Sequence, residues 1–575
     1  MPLDSLPLEL LTLICLKLDR KSLITMPFVN HMFYNLFSEH KTLKYYFELA
    51  RAGMDDGPSN HIFTVTSRMD RLKRYQMGWS KLDLTSPRKI EPFSGDKIGE
   101  EIHMNGDLLG EATTYPLGHD PEIRSLVQFW ELSNFTRPDD GPRSLGWFFL
   151  EHAISSYAID PSQALLVVQE ESTSLATGRG NAIVKTYLYE LSADETITPH
   201  PRANIPVLEK TIQSGSCHCA VSICRDYVGA LFTITPIVGE DSVSDGASAN
   251  AGDDIRSHVV IWNWKTGQCI FDLTDIAMAF SFLSDQHILL AVPTNTQGGA
   301  QTVALTLVNF QLASTPSSCH VVASLLLPDL LSGKQINGVE LFTSPVQAHV
   351  RAEDDRSSAV PFQLSWDNRL FVLSLDCDIE VTRNGFAPIL FIPMSTLLPH
   401  LHSTPQHTDM SLPDRCVTSG VPWMYWGPCG SRMFVLKDDE MTSNCVYGSR
   451  FVSLVYEQED EEDADADGRL PRVGVLDFNT LSLSSGLSLA SEDAAMDLDT
   501  MSTTEIVSRT QPTTISMEDL GLFASDVVTY LPFRRTLTSK ELELKIDYVM
   551  QSQGHIVTAD HSGDFLEYYA VGISA

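Results

Sequence analysis

The chain has 575 residues, 43% of them hydrophobic, which predicts a folded protein with more than one domain. No apolar run reaches the roughly 18–20 residues of a membrane helix, and Met1-Pro2-Leu3-Asp4 lacks the basic start of a secretory signal, so we expect a cytoplasmic or nuclear location. The net charge of −34 is uneven: residues 1–90 sum to +4 (13 Lys or Arg, 9 Asp or Glu) and residues 91–575 to −38 (27 against 65), which disfavours nucleic acid and membranes as partners.

An apolar helix is predicted at the amino end, in the run Leu6-Pro7-Leu8-Glu9-Leu10-Leu11 and beyond. Pro7 suits a helix start because its missing N–H would have no partner there, and Glu9 complements the positive end of the helix dipole. We therefore expect the helix to begin near Leu6. The next apolar residues recur at three- and four-residue spacing and place a stripe on one face, formed by Leu10, Leu11, Ile14 and Leu18.

A second apolar segment, from Leu23 to Leu36, follows Asp19-Arg20-Lys21. Asp19 is expected to cap the helix that begins there. Pro27 lies inside the segment and is predicted to break or kink its helix, because proline has no backbone N–H to donate.

Residues 6–40 resemble an F-box, with matching residues at Leu6, Pro7, Glu9, Ile14, Leu18, Leu23 and Val29, whereas Phe33 stands where that family often has tryptophan. The resemblance, which is to F-box proteins of mushroom-forming fungi, implies a small helical unit that binds the Skp-type adaptor of a cullin ubiquitin ligase. The adaptor-binding residues that it implies are Leu6, Pro7, Leu8, Glu9, Leu10, Leu11, Ile14, Leu18, Leu23, Ile24, Val29 and Phe33. An alternative is that residues 1–50 are only the helical subdomain of a larger fold.

Three regions are predicted: an F-box in residues 1–50, a connecting helical linker in 51–90, and a β-propeller-like domain in 91–575. The linker contains Ser67 to Trp79, whose apolar residues fall on one helical face, namely Met69, Leu72, Tyr75 and Trp79. Its four cations, Arg68, Arg71, Lys73 and Arg74, are interpreted as a solvated face.

From about Phe148 onward, short runs rich in Val, Ile, Leu, Phe and Tyr alternate with turn residues, which is typical of an all-β domain. His258 to Leu273 resembles the outer hairpin of a WD-type propeller blade, and Ala277 to Val292 resembles the inner hairpin of the next blade. Since such blades bury their faces only by stacking on neighbours, we predict an irregular propeller of six or seven blades. Two packed β-sandwiches are the alternative.

Three polar or acidic insertions are expected to be mobile loops, near residues 239–254, 457–468 and 481–517. Cys217, Cys219 and Cys224 are interpreted as buried thiols of a strand, and His400, His402 and His407 as residues of a polar loop. We find no phosphate-binding loop, nucleophile elbow or HExxH motif, and predict no catalytic residue, metal or cofactor. The aromatic run Trp423 to Pro428 suits either an exposed recognition patch or core packing.

The resemblance implies a substrate-recognition subunit of a Skp, cullin and F-box ubiquitin ligase, with an unidentified protein substrate held by the propeller. Two alternatives stay open: an F-box propeller that acts as a scaffold without the ligase, and an enzyme built on a propeller.

Overall fold

A computed structural model of the chain describes residues 6–57, 63–82, 84, 87–90, 99–114, 125–133, 140–170, 181–191, 197–213, 216–235, 256–295, 301–312, 315–345, 361–377, 379, 385–401, 420–437, 441, 444–455, 471–483, 503–538, 541–542, 546–560 and 566–572. Across these ranges, no helix is both long and apolar enough to cross a membrane.

Five helices form a helical unit at the amino end: α1 (Leu8–Cys15), α2 (Arg20–Thr25), α3 (His31–Glu39), α4 (Lys41–Ala52) and α5 (Val65–Lys81). Pro7 is the N-cap of α1, so the helix begins two residues later than the sequence predicts. Asp19 caps α2 as predicted, accepting from the Ser22 N–H at 3.0 Å. Pro27 ends α2 and lies in a 3₁₀ turn, Met26–Phe28, after which α3 begins.

Seven sheets of four or five strands follow one another around a ring and form a seven-bladed β-propeller. From the inner to the outer strand, blades 1–4 are β3 (Gly99–Asn105), β4 (Leu108–Thr114), β5 (Ser125–Glu131) and β6 (Arg143–Leu150); β7 (Ile154–Asp160), β8 (Leu165–Glu170), β9 (Asn181–Glu190) and β10 (Val207–Gln213); β11 (Ser216–Cys224), β12 (Tyr227–Thr235), β13 (Arg256–Asn263) and β14 (Gln268–Thr274); and β15 (Ala279–Phe282), β16 (His287–Asn295), β17 (Gln301–Asn309) and β18 (Val321–Leu326).

Blades 5–7 carry excursions and the closure of the ring. They are β19 (Ile336–Thr343), β21 (Leu370–Cys377), β22 (Phe386–Pro393) and β23 (Arg432–Lys437); β24 (Val446–Tyr447), β25 (Arg450–Val455), β26 (Arg472–Asp477), β30 (Phe533–Leu537) and β27 (Thr503–Val507); and β31 (Tyr548–Gln551), β32 (His555–Ala559), β33 (Leu566–Ala570) and β2 (Arg88–Ile90). The excursions contain two small sheets, β1 (Met54–Asp56) with β20 (Phe362–Leu364) and β28 (Thr513–Ile515) with β29 (Val527–Thr529), and the helices α6 (Met394–Leu401), α7 (Trp423–Gly430), α8 (Thr480–Leu483) and α9 (Met517–Leu520).

The ring is closed by β2, which comes from the amino side of the chain and forms the outer strand of blade 7. Both predicted hairpins are confirmed, because β13 and β14 are the outer pair of blade 3, and β15 and β16 the inner pair of blade 4. The blade count is seven, and the two-sandwich alternative is wrong.

The prediction of a loop over 481–517 is wrong for residues 503–517. Thr503–Val507 forms β27, which pairs with β30 as the fifth strand of blade 6, and Thr513–Ile515 forms β28. The polar sequence misled the prediction because β27 is an edge strand whose first four residues are exposed. The other two predicted loops, 239–254 and 457–468, lie outside the described residues.

The turn that joins the first and second strands of a blade, called here the inner turn, holds the neighbouring blade. All seven inner turns lie on one face of the ring, because successive strands of a blade are antiparallel. The contacts between successive blades are Asn105 Nδ2 to Ile159 O (2.9 Å), Gln163 Nε2 to Arg225 O (2.7 Å), Arg225 Nη1 to Asp285 Oδ2 (2.6 Å), Arg369 Nη1 to Phe282 O (2.9 Å), Leu370 N to Gly448 O (2.7 Å), Gln551 Nε2 to Cys445 O (2.8 Å) and His555 Nε2 to Ser133 O (2.7 Å).

His555 joins blade 7 to blade 1 and makes stability depend on pH. Its Nε2–H donates to Ser133 O at 2.7 Å, and Nδ1 lies 3.2 Å from Ser552 Oγ, which can donate to it when the ring is neutral. Burial lowers the pKa of His555 from 6.5 to about 4. Below pH 6.5 the unfolded chain therefore binds a proton that the folded chain does not, and stability falls as the pH falls.

We expect acidification from pH 6.5 towards pH 4 to cost wild type on the order of 1 kcal/mol per pH unit through His555. His555→Gln keeps a neutral donor and is expected to show a shallower pH dependence of the free energy of unfolding. Urea unfolding of both proteins at pH 7 and pH 5 measures this difference. Equal losses in the two proteins would contradict the assignment to His555.

Candidate functional site

Helix α1 is apolar on both of its faces. Leu11 and Cys15 are 2% and 1% exposed and pack into the core of the helical unit, together with Leu23, Phe33 and Phe37. The opposite face presents Leu10, Leu13 and Ile14, which are 47%, 59% and 40% exposed. A helix with apolar residues on all sides is normally buried on all sides. The outward face of α1 is exposed instead, which is unusual for a helix of this composition.

The twelve residues predicted to bind an adaptor divide into two groups. Leu11, Leu23, Ile24 and Phe33 are buried in the core of the helical unit, and Leu6 and Leu18 are half-buried against it. The exposed members are Pro7, Leu8, Glu9, Leu10, Ile14 and Val29. The single docking stripe that the sequence predicts is therefore corrected: the buried residues hold the unit together, because so small a unit must bury its first apolar stripe internally.

Two exposed residues that belong to this surface were missed. Leu13 completes the outward face of α1 with Leu10 and Ile14, at the i, i+3, i+4 spacing of one helix face. Phe28, 44% exposed, precedes Val29 at the end of the 3₁₀ turn. The spacing of Leu10, Leu13 and Ile14 was a readable signal, whereas the exposure of Phe28 depends on the turn at Pro27.

The helical unit is fixed to the inner-turn face of the propeller at blade 5. Arg20, the first residue of α2, bridges Asp55 at 2.7 Å and Asp367 in the inner turn of blade 5 at 2.8 Å. Strand β1, which follows α4, pairs with β20, which lies in the excursion between the first and second strands of blade 5. Gly53 lies between α4 and β1 at φ +69°, and a Cβ at this position would clash with the Asn368 side chain.

An aromatic and ionic cluster supports this junction. Tyr45 donates its hydroxyl hydrogen to Asp56 Oδ1 at 2.8 Å, and Arg68 of α5 reaches the same oxygen at 2.7 Å. Burial and the Asp56 charge raise the pKa of Tyr45 and of Tyr46, so both phenols stay protonated at neutral pH. The cluster therefore carries one carboxylate paired with one guanidinium.

Helix α5 fixes the unit to blades 6 and 7. As predicted, Met69, Leu72, Tyr75 and Trp79 are buried along one face. Arg450 of β25 donates to Tyr75 Oη at 2.6 Å and lies 3.5 Å from the centre of the Trp79 ring system. Trp79 Nε1 donates to Gln553 O, in the inner turn of blade 7, at 3.1 Å. The helical unit thus spans three blades on one face of the ring.

The three cysteines interpreted as strand thiols lie on β11, the inner strand of blade 3, where Cys219 and Cys224 are buried and Cys217 is half-buried. Burial raises the pKa of Cys217 to about 11 and that of Cys224 to about 12, so these thiols are protonated at neutral pH. Among the described residues, no group of three or more His, Cys, Asp or Glu side chains is placed to hold a metal ion. Of the three clustered histidines, His400 lies in α6, and His402 and His407 are outside the described residues.

A carboxylate, a histidine and a serine meet on the inner strands of blades 1 and 2. Glu101 Oε1 accepts from His103 Nε2 at 2.8 Å and from Ser156 Oγ at 3.2 Å. Both donors bind the same carboxylate oxygen. In a catalytic set the serine would instead be hydrogen-bonded to the histidine, and the histidine to the carboxylate. We interpret the cluster as a structural link between the two blades.

The aromatic run Trp423 to Pro428 lies in α7 and is divided between core packing and exposure to solvent. Trp426 is 5% exposed and donates its Nε1–H to Leu326 O of blade 4 at 3.0 Å. Met424 and Tyr425 are 71% and 75% exposed on the other side of the helix.

Comparison with known proteins adds little. No family model and no curated protein matches the chain. Among solved structures, the chain is similar to the WD40 domain of SCAP from fission yeast, with 8% identity and a TM-score of 0.27 over 83% of this chain and 99% of that one. The assignment of a propeller rests on the strand pairing described above. The F-box resemblance stays a prediction.

Proposed function

We propose that this chain is the substrate-recognition subunit of a Skp, cullin and F-box ubiquitin ligase, acting in the cytoplasm or nucleus. The observation that carries the proposal is the uncovered apolar face of α1, formed by Leu10, Leu13 and Ile14, on a helical unit fixed to a propeller. Leu8, Phe28 and Val29 add further exposed apolar surface nearby in the sequence. The resemblance of residues 6–40 to an F-box names a Skp-type adaptor as the partner that covers it.

The substrate is proposed to bind the face of the ring opposite the helical unit. The helical unit occupies the inner-turn face at blades 5, 6 and 7 through Asp367, Arg450 and Gln553. These contacts, made by the described residues, leave the opposite face as the proposed substrate surface. The charge of −38 over residues 91–575 favours a basic protein there. By holding substrate and adaptor on one rigid body, the chain would make ubiquitin transfer effectively intramolecular.

Co-purification of the full-length chain with the Skp-type adaptor tests the proposal. We expect Leu10→Ser, Leu13→Ser and Ile14→Ser together to reduce adaptor capture at least tenfold without unfolding the unit, because these side chains are exposed. Ile183→Ser, at an equally exposed position on blade 2, is the matched control and is expected to retain capture. Absence of the adaptor from wild type would refute the proposal.

A second candidate is a scaffold that binds protein partners without the ligase. A β-propeller presents binding surfaces for protein partners on a rigid ring. Burial of Phe33 favours this candidate. The side chain is 3% exposed, so it is not available for an aromatic contact with an adaptor. Recovery of the adaptor without the cullin would support the scaffold.

A further inference from the structure

A stack of three half-buried rings lies between blades 1 and 2. Tyr187 and Tyr189 of β9 are parallel with their ring centroids 5.8 Å apart, and His152, from the connection between β6 and β7, stacks on Tyr187 with the centroids 4.4 Å apart. Tyr187 is paired with Val168 and Tyr189 with Leu166, so both rings lie on the side of blade 2 that packs against blade 1. Each ring is therefore held by the core and still partly exposed to solvent.

Carboxylates lie close to this stack. Glu170, the last residue of β8, accepts a hydrogen bond from Tyr187 Oη through Oε2 at 3.1 Å. Among the described residues, the charges that act most on the three rings are those of Glu170, Glu151 and Glu209, opposed by Lys185. Three carboxylates against one ammonium group leave a local charge of −2, so the stack attracts cations and repels anions.

The rings themselves are uncharged at neutral pH. Burial, with the charge of Glu170, raises the pKa of Tyr187, and it raises the pKa of Tyr189 to about 12. Burial lowers the pKa of His152 from 6.5. Two acceptors are unused by the described residues: Glu170 Oε1, and His152 Nε2, which is buried without a partner and accepts when the ring hydrogen is on Nδ1. The stack therefore combines neutral aromatic faces with acceptors that have no donor.

The stack is placed towards the face of the ring opposite the inner turns. Ile154 begins β7 and pairs with Glu170 at the end of β8. Since β7 and β8 are joined by an inner turn, these two paired residues lie at the other end of the strands, and His152 precedes Ile154 by two residues. This is the face on which the substrate is proposed to bind.

We propose that the blade 1–2 cleft, formed by His152, Glu170, Tyr187 and Tyr189, binds an arginine side chain of a basic protein. A guanidinium group is planar and stacks on aromatic rings, and its fork of N–H donors matches a carboxylate such as that of Glu170. The ammonium group of lysine carries the same charge but neither stacks nor forms that pair of hydrogen bonds. That the arginine belongs to the substrate rests on the proposed function, whereas the binding of the side chain does not.

Binding of a dye-labelled hexa-arginine peptide to the full-length chain, measured by fluorescence anisotropy at physiological salt, tests the proposal. We expect Glu170→Gln and Tyr189→Leu each to weaken binding at least about fivefold, and a hexa-lysine peptide to bind wild type at least about fivefold more weakly. The matched controls are Glu518→Gln, at an exposed carboxylate of α9, and Trp147→Leu, at an aromatic residue of β6 that is 45% exposed. Each control is expected to change binding less than about twofold, because screening limits the reach of a distant charge.

A gain of binding separates the cleft from a damaged fold. Lys185→Gln removes the cation that opposes the carboxylates, so it is expected to strengthen binding of the hexa-arginine peptide about threefold. Lys21→Gln, on α2 of the helical unit, makes the same change in net charge and is expected to have little effect. Equal effects of each cleft variant and its control would show attraction to the overall charge of the chain alone and overturn the proposal, as would absence of binding to wild type.

The peptide measurements and the adaptor measurement fail separately. No adaptor is present when the peptide binds, so a failure of adaptor capture refutes the proposed function and leaves the binding of arginine by the cleft standing. Loss of the difference between the cleft variants and their controls overturns the cleft and leaves the apolar face of α1 as the adaptor surface.

Discussion

Replacing Arg450 with methionine is expected to lower the free energy of unfolding by about 3 kcal/mol and to loosen α5 from the propeller. The Arg450 guanidinium is 3.5 Å from the centre of the Trp79 rings and donates to Tyr75 Oη at 2.6 Å. Methionine fills part of the space, but it removes the hydrogen bond that Arg450 donates to the buried Tyr75 oxygen and the attraction of a desolvated cation to an aromatic face. Urea unfolding measures the loss of stability.

Hydrogen exchange locates the effect. Amides of α5 are expected to exchange faster in the variant, whereas those of blades 2 and 3 keep their protection, because Arg450 contacts Tyr75 and Trp79 of α5 and lies in blade 6. Arg143→Met is the matched control: this arginine pairs with Glu131 at a side-chain exposure of 61%, and its loss is expected to cost under about 0.5 kcal/mol. Unchanged exchange in α5 would show that the junction is held by Trp79 and Gln553 without Arg450.

Replacing Arg369 with methionine is expected to destabilise the protein by about 3 kcal/mol, through the contact between blades 4 and 5. Arg369 is 2% exposed and donates to Phe282 O at 2.9 Å, Leu283 O at 3.3 Å and Ser344 O at 2.8 Å. Burial lowers the pKa of Arg369 to about 10, which records the cost of keeping a cation inside. Methionine removes that cost but leaves several buried carbonyl oxygens without donors.

The change in stability is the difference between the desolvation cost that methionine removes and the hydrogen bonds that it loses. Thermal or urea unfolding measures this change. Arg369→Lys is expected to be as damaging as methionine, because one ammonium group cannot reproduce the fork of a guanidinium that reaches carbonyls on two blades. Arg256→Met, at an exposed position on β13, is the matched control. If Arg369→Met were as stable as wild type, the free-energy cost of desolvating the cation would equal the stability that its hydrogen bonds contribute.

The contacts of the helical unit with the ring bear on how the chain would work under the proposed function. Arg20, Arg450 and Trp79 fix the helical unit to blades 5, 6 and 7, so the exposed apolar face of α1 keeps one orientation relative to the ring. A substrate receptor needs that constancy, because the effective concentration of a bound target depends on a fixed geometry. If the chain acts as proposed above, loosening α5 through Arg450→Met is expected to spare adaptor binding while weakening ubiquitin transfer.

The sequence by itself determined the elements whose signals are local. Asp19 and Pro27 set the start and end of α2, because capping and the missing proline N–H act within a few residues. The hairpins of residues 258–273 and 277–292 were readable from alternating apolar residues and their turns. Since such hairpins bury their faces only against neighbouring blades, the propeller followed from them. Strands β3 and β4 were harder to read, because Gly and Glu, which strands disfavour, interrupt them.

Only the tertiary structure decided which surfaces are free. Leu11 and Leu10 are neighbours in the sequence, yet one lies in the core and the other in solvent, because α3 and α4 cover one side of α1 and nothing in the described residues covers the other. The closure of the ring by β2 and the placement of β27 beside β30 join residues hundreds or tens of positions apart. Local propensity carries no information about such pairings, since they are fixed by packing between blades that come together only in the folded chain.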